Sequence, residues 1–314
     1  MLSRTAAGLF WMSRNIERAE SNARTLESRL INALESPEYS TGAVRDWEAV
    51  LEICAGVTEY RAFYEDCTAE SVASYITFDD RNINSITNCL GYARQNARAT
   101  RDVLPEELWQ LLNERYLAIQ EFNGTWTVQE VHRFLREVKQ LSYTIQGIIE
   151  SSMLREESYH FIKIGKWLER AEKTARVLNV VCEKTMESED ELHADYYYWL
   201  SALQFLNGYD AYLKRFPPTM EPQYVLPFLL SYEQFPRSIE YCMEHVREAV
   251  LKLEHGQVSH YSEDLFFALD RVMDDFVKIK FRKRTAREIG PFLDDFQNSC
   301  GRIGSVFAST YYLY

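Results

Sequence analysis

Residues 9–30 read LFWMSRNIERAESNARTLESRL, and the spacing of the apolar side chains in this stretch decides the fold. Leu9, Met12, Ile16, Ala19, Ala23, Leu26 and Leu30 follow one another in alternating steps of three and four, which places them on one face of an α-helix. Residues 161–182, FIKIGKWLERAEKTARVLNVVC, repeat the pattern at Phe161, Ile164, Leu168, Ala171, Ala175, Leu178 and Cys182. Helical periods also run over residues 47–64, 85–103, 106–122, 128–153, 196–216, 238–253, 264–280 and 288–311, and no alternating strand pattern outcompetes them. The chain is therefore predicted to be all-α, with about ten helices.

The breaks between these runs carry helix punctuation. Ser85 is placed to cap a helix after Asp79-Asp80 and Asn82 to Asn84. Pro105 followed by Glu106 and Glu107 suits a first turn, and Asn123-Gly124 suits a last one. Pro217, Pro218, Pro222 and Pro227 mark a stretch read as a loop, and the acidic segment 183–195 is read as a surface link between helices.

The chain also resembles itself. ERAESNAR at 17–24 returns as ERAEKTAR at 169–176, an offset of 169 − 17 = 152 residues. The same offset relates Trp47 to Trp199, Leu51 to Leu203, Gly56 to Gly208 and Tyr60 to Tyr212, and an offset of 153 relates Ser85 to Ser238, Cys89 to Cys242 and Arg94 to Arg247. An ordered series of this kind points to a duplicated helical bundle, with residues 1–154 as the first repeat and 155–314 as the second. The bundle would have about five helices per half, related by a pseudo-two-fold and packed as one unit.

Composition narrows the function. The 35 Lys and Arg against 47 Asp and Glu give a net charge of −12, which argues against a general nucleic-acid binder. No apolar run is long enough to span a membrane, and the N-terminal stretch lacks the cleavage site of a signal peptide. The six cysteines, Cys54, Cys67, Cys89, Cys182, Cys242 and Cys300, are scattered, which fits reduced thiols in a cytoplasm. HExxH, GxSxG, P-loop and GxGxxG motifs are lacking, so the reading leans away from an enzyme, and no cofactor is expected. Glu157 and His160 have the spacing of one half of a di-iron motif, but Gly8 stands where the first half would need its histidine, so they are weak metal candidates.

LFWMSRNIERAESNAR near the N-terminus, ITFDDRNINSI at 76–86, YARQNARATRD at 92–102, SYHFIKIGKWLERAEKTAR at 158–176 and FPRSIEYC at 235–242 are similar to the bacterial alpha-E domain family, in the family's order and across the whole chain. The resemblance implies an all-helical accessory protein found alongside a circularly permuted ATP-grasp ligase and a transglutaminase-like protease, in systems that make or modify small peptides. It implies protein partners and no established activity.

The charged positions suggest where a site would lie. With Ile16 as the zero of a helical wheel, Glu20, Arg24 and Glu17 fall at about 40°, 80° and 100°, flanking the apolar stripe, while Arg18 falls at about 200°, on the opposite face. Glu172, Arg176 and Glu169 flank the second stripe in the same way, and Arg170 points away. If the two helices pair, Glu17, Glu20, Arg24, Glu169, Glu172 and Arg176 converge as a structural network, a metal site or a catalytic site. Glu20 and Glu172 are expected to be buried, each paired with an arginine of its own helix or of the stripe Arg94, Arg98 and Arg101, which otherwise faces an anion. Arg18 and Arg170 are expected to meet another helix or solvent, and not the central glutamates. Lys278, Lys280, Arg282, Lys283, Arg284 and Arg287 form a basic cluster read as a solvated helix end or a docking patch for an acidic partner.

Overall fold

A computed structural model describes residues 1–35, 46–120, 127–187, 191–279 and 285–313. Among these, the regular structure is helical and no strand occurs. The first half comprises α1 (Ser3–Glu35), α2 (Trp47–Cys54), α3 (Val57–Arg61), α4 (Ala69–Thr77), α5 (Ile86–Ala99), α6 (Glu106–Gln120) and α7 (Val128–Ser152). The second comprises α8 (Glu157–Glu187), α9 (Glu191–Phe205), α10 (Tyr209–Leu213), α11 (Pro222–Ser231), α12 (Ile239–Leu253), α13 (Glu263–Lys278) and α14 (Ala286–Tyr311).

The long helices α1 and α8 form the centre and run side by side in the same direction. Contacts between them climb together along both: Met1 with Glu157, Glu17 with Arg170, and Asn22 with Lys173. Helices α5 and α7 pack against α1, and α12 and α14 against α8; α6 bridges α5 and α7 as α13 bridges α12 and α14. The short helices close one end, with α2 and α9 each touching both α1 and α8. Because neighbours surround α1, nearly all of Met12 to Glu27 is buried, not one stripe alone.

Details recur at the offsets seen in the sequence. Ser85 and Ser238 cap α5 and α12 through the backbone N–H groups of Asn88 and Tyr241. The hydroxyl of Tyr60 donates to the Asp66 carbonyl at 2.7 Å, and that of Tyr212 to the Thr219 carbonyl at 2.7 Å. Tyr60 stacks on Tyr64 with ring centres 4.8 Å apart, and Tyr212 on Phe216 at 5.2 Å. Asn22 donates to the carbonyl of Asn84, and Thr174 to that of Arg237.

The helix count exceeds the ten expected from periodicity. The run 47–64 divides into α2 and α3, and 196–216 into α9 and α10. The second break is made by Asn207 in the left-handed region (φ 52°), where the Gly208 N–H reaches back to the Leu203 carbonyl at 2.7 Å and closes α9. Helices α4 and α11 were not expected. The stretch read as a proline loop contains α11, with Pro222 in the first turn, where a missing N–H costs nothing, and Pro227 inside the helix. Val225, Leu226, Phe228, Leu229 and Leu230 are each fully covered, and that burial outweighs the bond lost at Pro227. The acidic link 183–195 is mostly helix, since α8 runs to Glu187 and α9 begins at Glu191.

Gly165 lets the central pair approach closely. A Cβ added there would lie 2.5 Å from the Phe10 carbonyl oxygen of α1 and against the Ser13 hydroxyl. Gly165→Ala should therefore destabilise the protein by about 1–3 kcal/mol in a urea titration, although alanine is worth about 1 kcal/mol more than glycine in a free helix. A gain in stability would show that the two helices do not meet at this point.

Candidate functional site

Glu17, Glu20, Glu169 and Glu172 meet between α1 and α8, midway along the pair, and each is held by arginine. On one flank Arg14 reaches across from α1, its Nε donating to Glu169 at 2.6 Å and its Nη2 to Glu172 at 2.6 Å. Arg18 forks onto both oxygens of Glu169 at 2.6 and 3.0 Å, and its Nη1 donates to the Asn84 side-chain oxygen at 3.0 Å. On the other flank Arg170 forks onto Glu17 at 2.6 and 2.9 Å. Arg237, just before α12, donates to Glu17 at 3.4 Å and Glu20 at 2.9 Å, and Arg24 pairs with Glu20 and with the Tyr143 hydroxyl.

The centre is thus a crossed exchange. Glu17-Arg18 of one helix and Glu169-Arg170 of the other swap partners through two forked ion pairs, the geometry in which guanidinium and carboxylate bind most strongly. The side chains of Glu17, Glu20 and Glu169 are 2%, 1% and 4% exposed, so their charges are fully desolvated and depend on these partners.

This arrangement corrects the helical-wheel reading in three respects. Arg18 and Arg170 contact the central glutamates directly, because the second central helix, not solvent, covers the face opposite the apolar stripe. Glu20 is buried and paired with Arg24 of its own helix, but the Glu172 side chain is 33% exposed and takes its arginine, Arg14, from the other helix. The stripe Arg94, Arg98 and Arg101 supplies no counter-charge here. Arg94 donates to Asn113 at 2.8 Å and lies over Tyr116, Arg101 pairs with Glu106 at 3.1 Å, and Arg98 is exposed.

Arg14, Asn84, Lys173 and Arg237 take part and were not singled out from the sequence. Arg14 left a signal, since the position 152 residues on is Lys166, also basic. Arg237 left none, because its counterpart is Asn84. Lys173 is buried and donates to the Asn22 side-chain oxygen and the Ile53 carbonyl, both at 2.9 Å. Arg176 forms no ion pair among the described residues and lines a polar cavity beside the cluster.

Electrostatics set what these groups can do. Burial pushes the Glu20 carboxyl up, but the charges of Arg237 and Arg24 outweigh it and hold the group well below the usual carboxylate range. Burial is likewise overcome at Glu169 by Arg14 and Arg18. Groups so depressed accept hydrogen bonds and neither donate nor take up a proton near neutral pH, which suits a structural network better than acid–base catalysis. Lys166 behaves differently: burial and then the charge of Arg170 lower it to about 7.

The remaining candidates lie elsewhere. Glu157 accepts from the Met1 amino group at 2.8 Å, and His160 lies beside Tyr159. Both line a cavity of about 400 Å³ with Arg155, Lys252 and His255. Among the described residues no three His, Cys, Asp or Glu are grouped as a metal would need. Of the basic cluster, Lys280, Arg282, Lys283 and Arg284 lie outside the described residues, Lys278 ends α13, and Arg287 is exposed in the first turn of α14. Cys54, Cys89, Cys182, Cys242 and Cys300 are buried and free, and burial pushes the thiols of Cys89, Cys182 and Cys242 up to about 12. No helix among the described residues is long and apolar enough to cross a membrane.

An all-helical protein centred on two reciprocal Glu-Arg pairs defines the class. The model of the Alpha-E family, described as a predicted alpha-helical domain with a conserved ER motif, matches residues 1–312, and the chain belongs to that family. No curated protein and no solved structure gives a match. Of the Glu-Arg dipeptides in the chain, Glu17-Arg18 and Glu169-Arg170 form the centre, whereas Glu114-Arg115 is exposed on α6.

Glu20→Ala should leave Arg237 and Arg24 buried without their shared partner and cost roughly 3–5 kcal/mol. Glu172→Ala, a third exposed, should cost clearly less. Urea titrations of the two variants check this, and equal small losses would make both surface charges. Stability should also depend on acid. Carboxyls depressed in the folded state stabilise it fully above the unfolded glutamate pKa of about 4.3 and lose that contribution as pH falls below it. Thermal melts from pH 6 down to pH 2 should show the decline, and Glu20→Gln should flatten it.

Proposed function

We propose that this protein is a non-catalytic helical partner of an ATP-grasp peptide ligase, built from two copies of one helical unit and acting in the synthesis or modification of small peptides. The observation that carries this reading is the engagement of all four central glutamates by guanidinium groups, which leaves the most buried charged cluster as framework. Membership of the family and the resemblance of its members to ligase-associated proteins support the partner's identity. The contacts that recur between the halves support the two-copy origin. Large apolar side chains stand exposed for docking, among them Trp11 at 41%, Ile83 at 68% and Phe267 at 71%.

The reading is tested by affinity purification of the tagged protein from its native bacterium. The circularly permuted ATP-grasp ligase should be retained in stoichiometric amount and should survive a salt wash. Purified protein that carries stoichiometric metal, lost in Glu172→Gln, and that retains no ligase would favour the alternative, a metalloprotein or enzyme using the Glu/Arg cluster.

A further inference from the structure

The two flanks of the central cluster are built from corresponding positions but are filled differently. On the Glu17/Glu20 flank, Arg237 projects into the cluster and Arg24 is bonded to Glu20 and Tyr143. On the Glu169/Glu172 flank the counterpart of Arg237 is the shorter Asn84, and the counterpart of Arg24 is Arg176. Arg14 reaches across to Glu172 and draws it away from Arg176, which would otherwise be its partner one turn along the helix. These differences leave a cavity of about 190 Å³ lined by Arg18, Asn84, Glu169, Glu172, Lys173 and Arg176.

The charges around this cavity do not balance. Arg14, Arg18, Lys173 and Arg176 face Glu169 and Glu172 alone, so two positive charges are left over. Lys173 is 8% exposed, and among the described residues it is held by the neutral oxygens of Asn22 and Ile53 alone. Burial lowers the Lys173 pKa and so disfavours its charged form, and an anion within reach would hold the ammonium in place. Free donors outnumber free acceptors, for Glu172 keeps one oxygen without a hydrogen bond among the described residues. Lys173 has a third N–H, the Asn84 amide nitrogen makes no bond among the described residues, and the Arg176 guanidinium makes no ion pair there. Donors arranged around an excess of positive charge match a ligand that only accepts. At about 30 Å³ per water the space holds roughly six waters, or one small oxyanion with some of them.

We propose that this cavity is a binding site for a small oxyanion, the carboxylate or phosphate group of a ligand, held by Lys173 and Arg176 with Asn84. The site stands on its own geometry and does not depend on the ligase reading. Glu169, already saturated by Arg14 and Arg18, acts as the wall that orients Arg18.

Titration calorimetry with sodium phosphate and, separately, sodium L-glutamate, at ionic strength fixed with sodium chloride, tests the proposal. At least one should bind saturably at one per chain and raise the melting temperature. Phosphate alone would indicate a phosphorylated ligand, and glutamate alone a carboxylate ligand. Arg176→Gln should weaken that binding by at least about tenfold, and Arg176→Glu should abolish it. Both variants should melt no lower than the parent without anion, because Arg176 has no ion pair among the described residues to lose. Arg287→Gln, in the exposed basic cluster, should bind as the parent does. Absence of saturable binding by both anions, or binding unchanged in Arg176→Gln, would overturn the proposal.

Discussion

Burying a carboxylate between two helices is tolerable only when a guanidinium meets it squarely, and that constraint governs the centre of this protein. Glu17, Glu20 and Glu169 lie where solvent cannot reach them, and each is met by two arginines. The forked geometry of Arg18 on Glu169 and of Arg170 on Glu17 fixes the axial register of α1 against α8, because a slip of one residue would break both forks together. The close approach at Gly165 acts in the same sense: it admits the Phe10 backbone at one level of the helix. Charge and shape thus specify one alignment, and the outer helices then pack around a fixed pair.

The glutamates of the two flanks are neutralised by different routes. Each pair of glutamates receives a forked arginine from the opposite helix, Arg18 on one flank and Arg170 on the other. A second arginine comes from α1 on one flank, as Arg14, and from the loop before α12 on the other, as Arg237. Where one half has Arg14 the other has Lys166, and where one has Arg237 the other has Asn84. The second arginine therefore occupies non-equivalent positions in the two halves while performing the same neutralisation. Both exchanges have local consequences. Lys166 is left without an ion pair among the described residues and is pushed down to about 7 by burial and by Arg170. Asn84 leaves open the space that Arg237 would fill.

The sequence revealed the architecture more fully than the site, for reasons visible in particular residues. The three-four spacing from Leu9 to Leu30 marks a helix wherever that helix lies, and Ser85 and Ser238 mark starts that the structure places at the same residues. Helix α11 escaped because Pro222 and Pro227 signal a loop locally, whereas the burial that overrides them is tertiary. The misplacement of Arg18 has a different origin. A helical wheel assumes one buried face, and a helix with neighbours on every side has none that is free. The wheel correctly placed Glu17, Glu20 and Arg24 beside the apolar stripe, but it could not show that a second polar flank would lie against it. Arg237 comes from a loop remote in sequence, and no periodicity links it to Glu17 or Glu20.

A purely structural network would be expected to balance its charges, since each unpaired buried charge costs several kcal/mol that no other contact requires. The Glu17/Glu20 flank carries the same surplus, Arg24, Arg170, Arg237 and Lys166 against two glutamates, but it engages all three arginines with those glutamates. The Glu169/Glu172 flank does not, for among the described residues it retains Lys173 on neutral oxygens and Arg176 without an ion pair, both facing open space. Substituting leucine and glutamine at those two positions would remove the imbalance without disturbing either fork. These two cations are thus avoidable, and they coincide with a cavity at the place where the opposite flank has Arg237. Of the two flanks, the one whose architecture is completed by a negatively charged ligand is the one between Asn84 and Arg176, where the chain itself supplies more donors than acceptors to meet them.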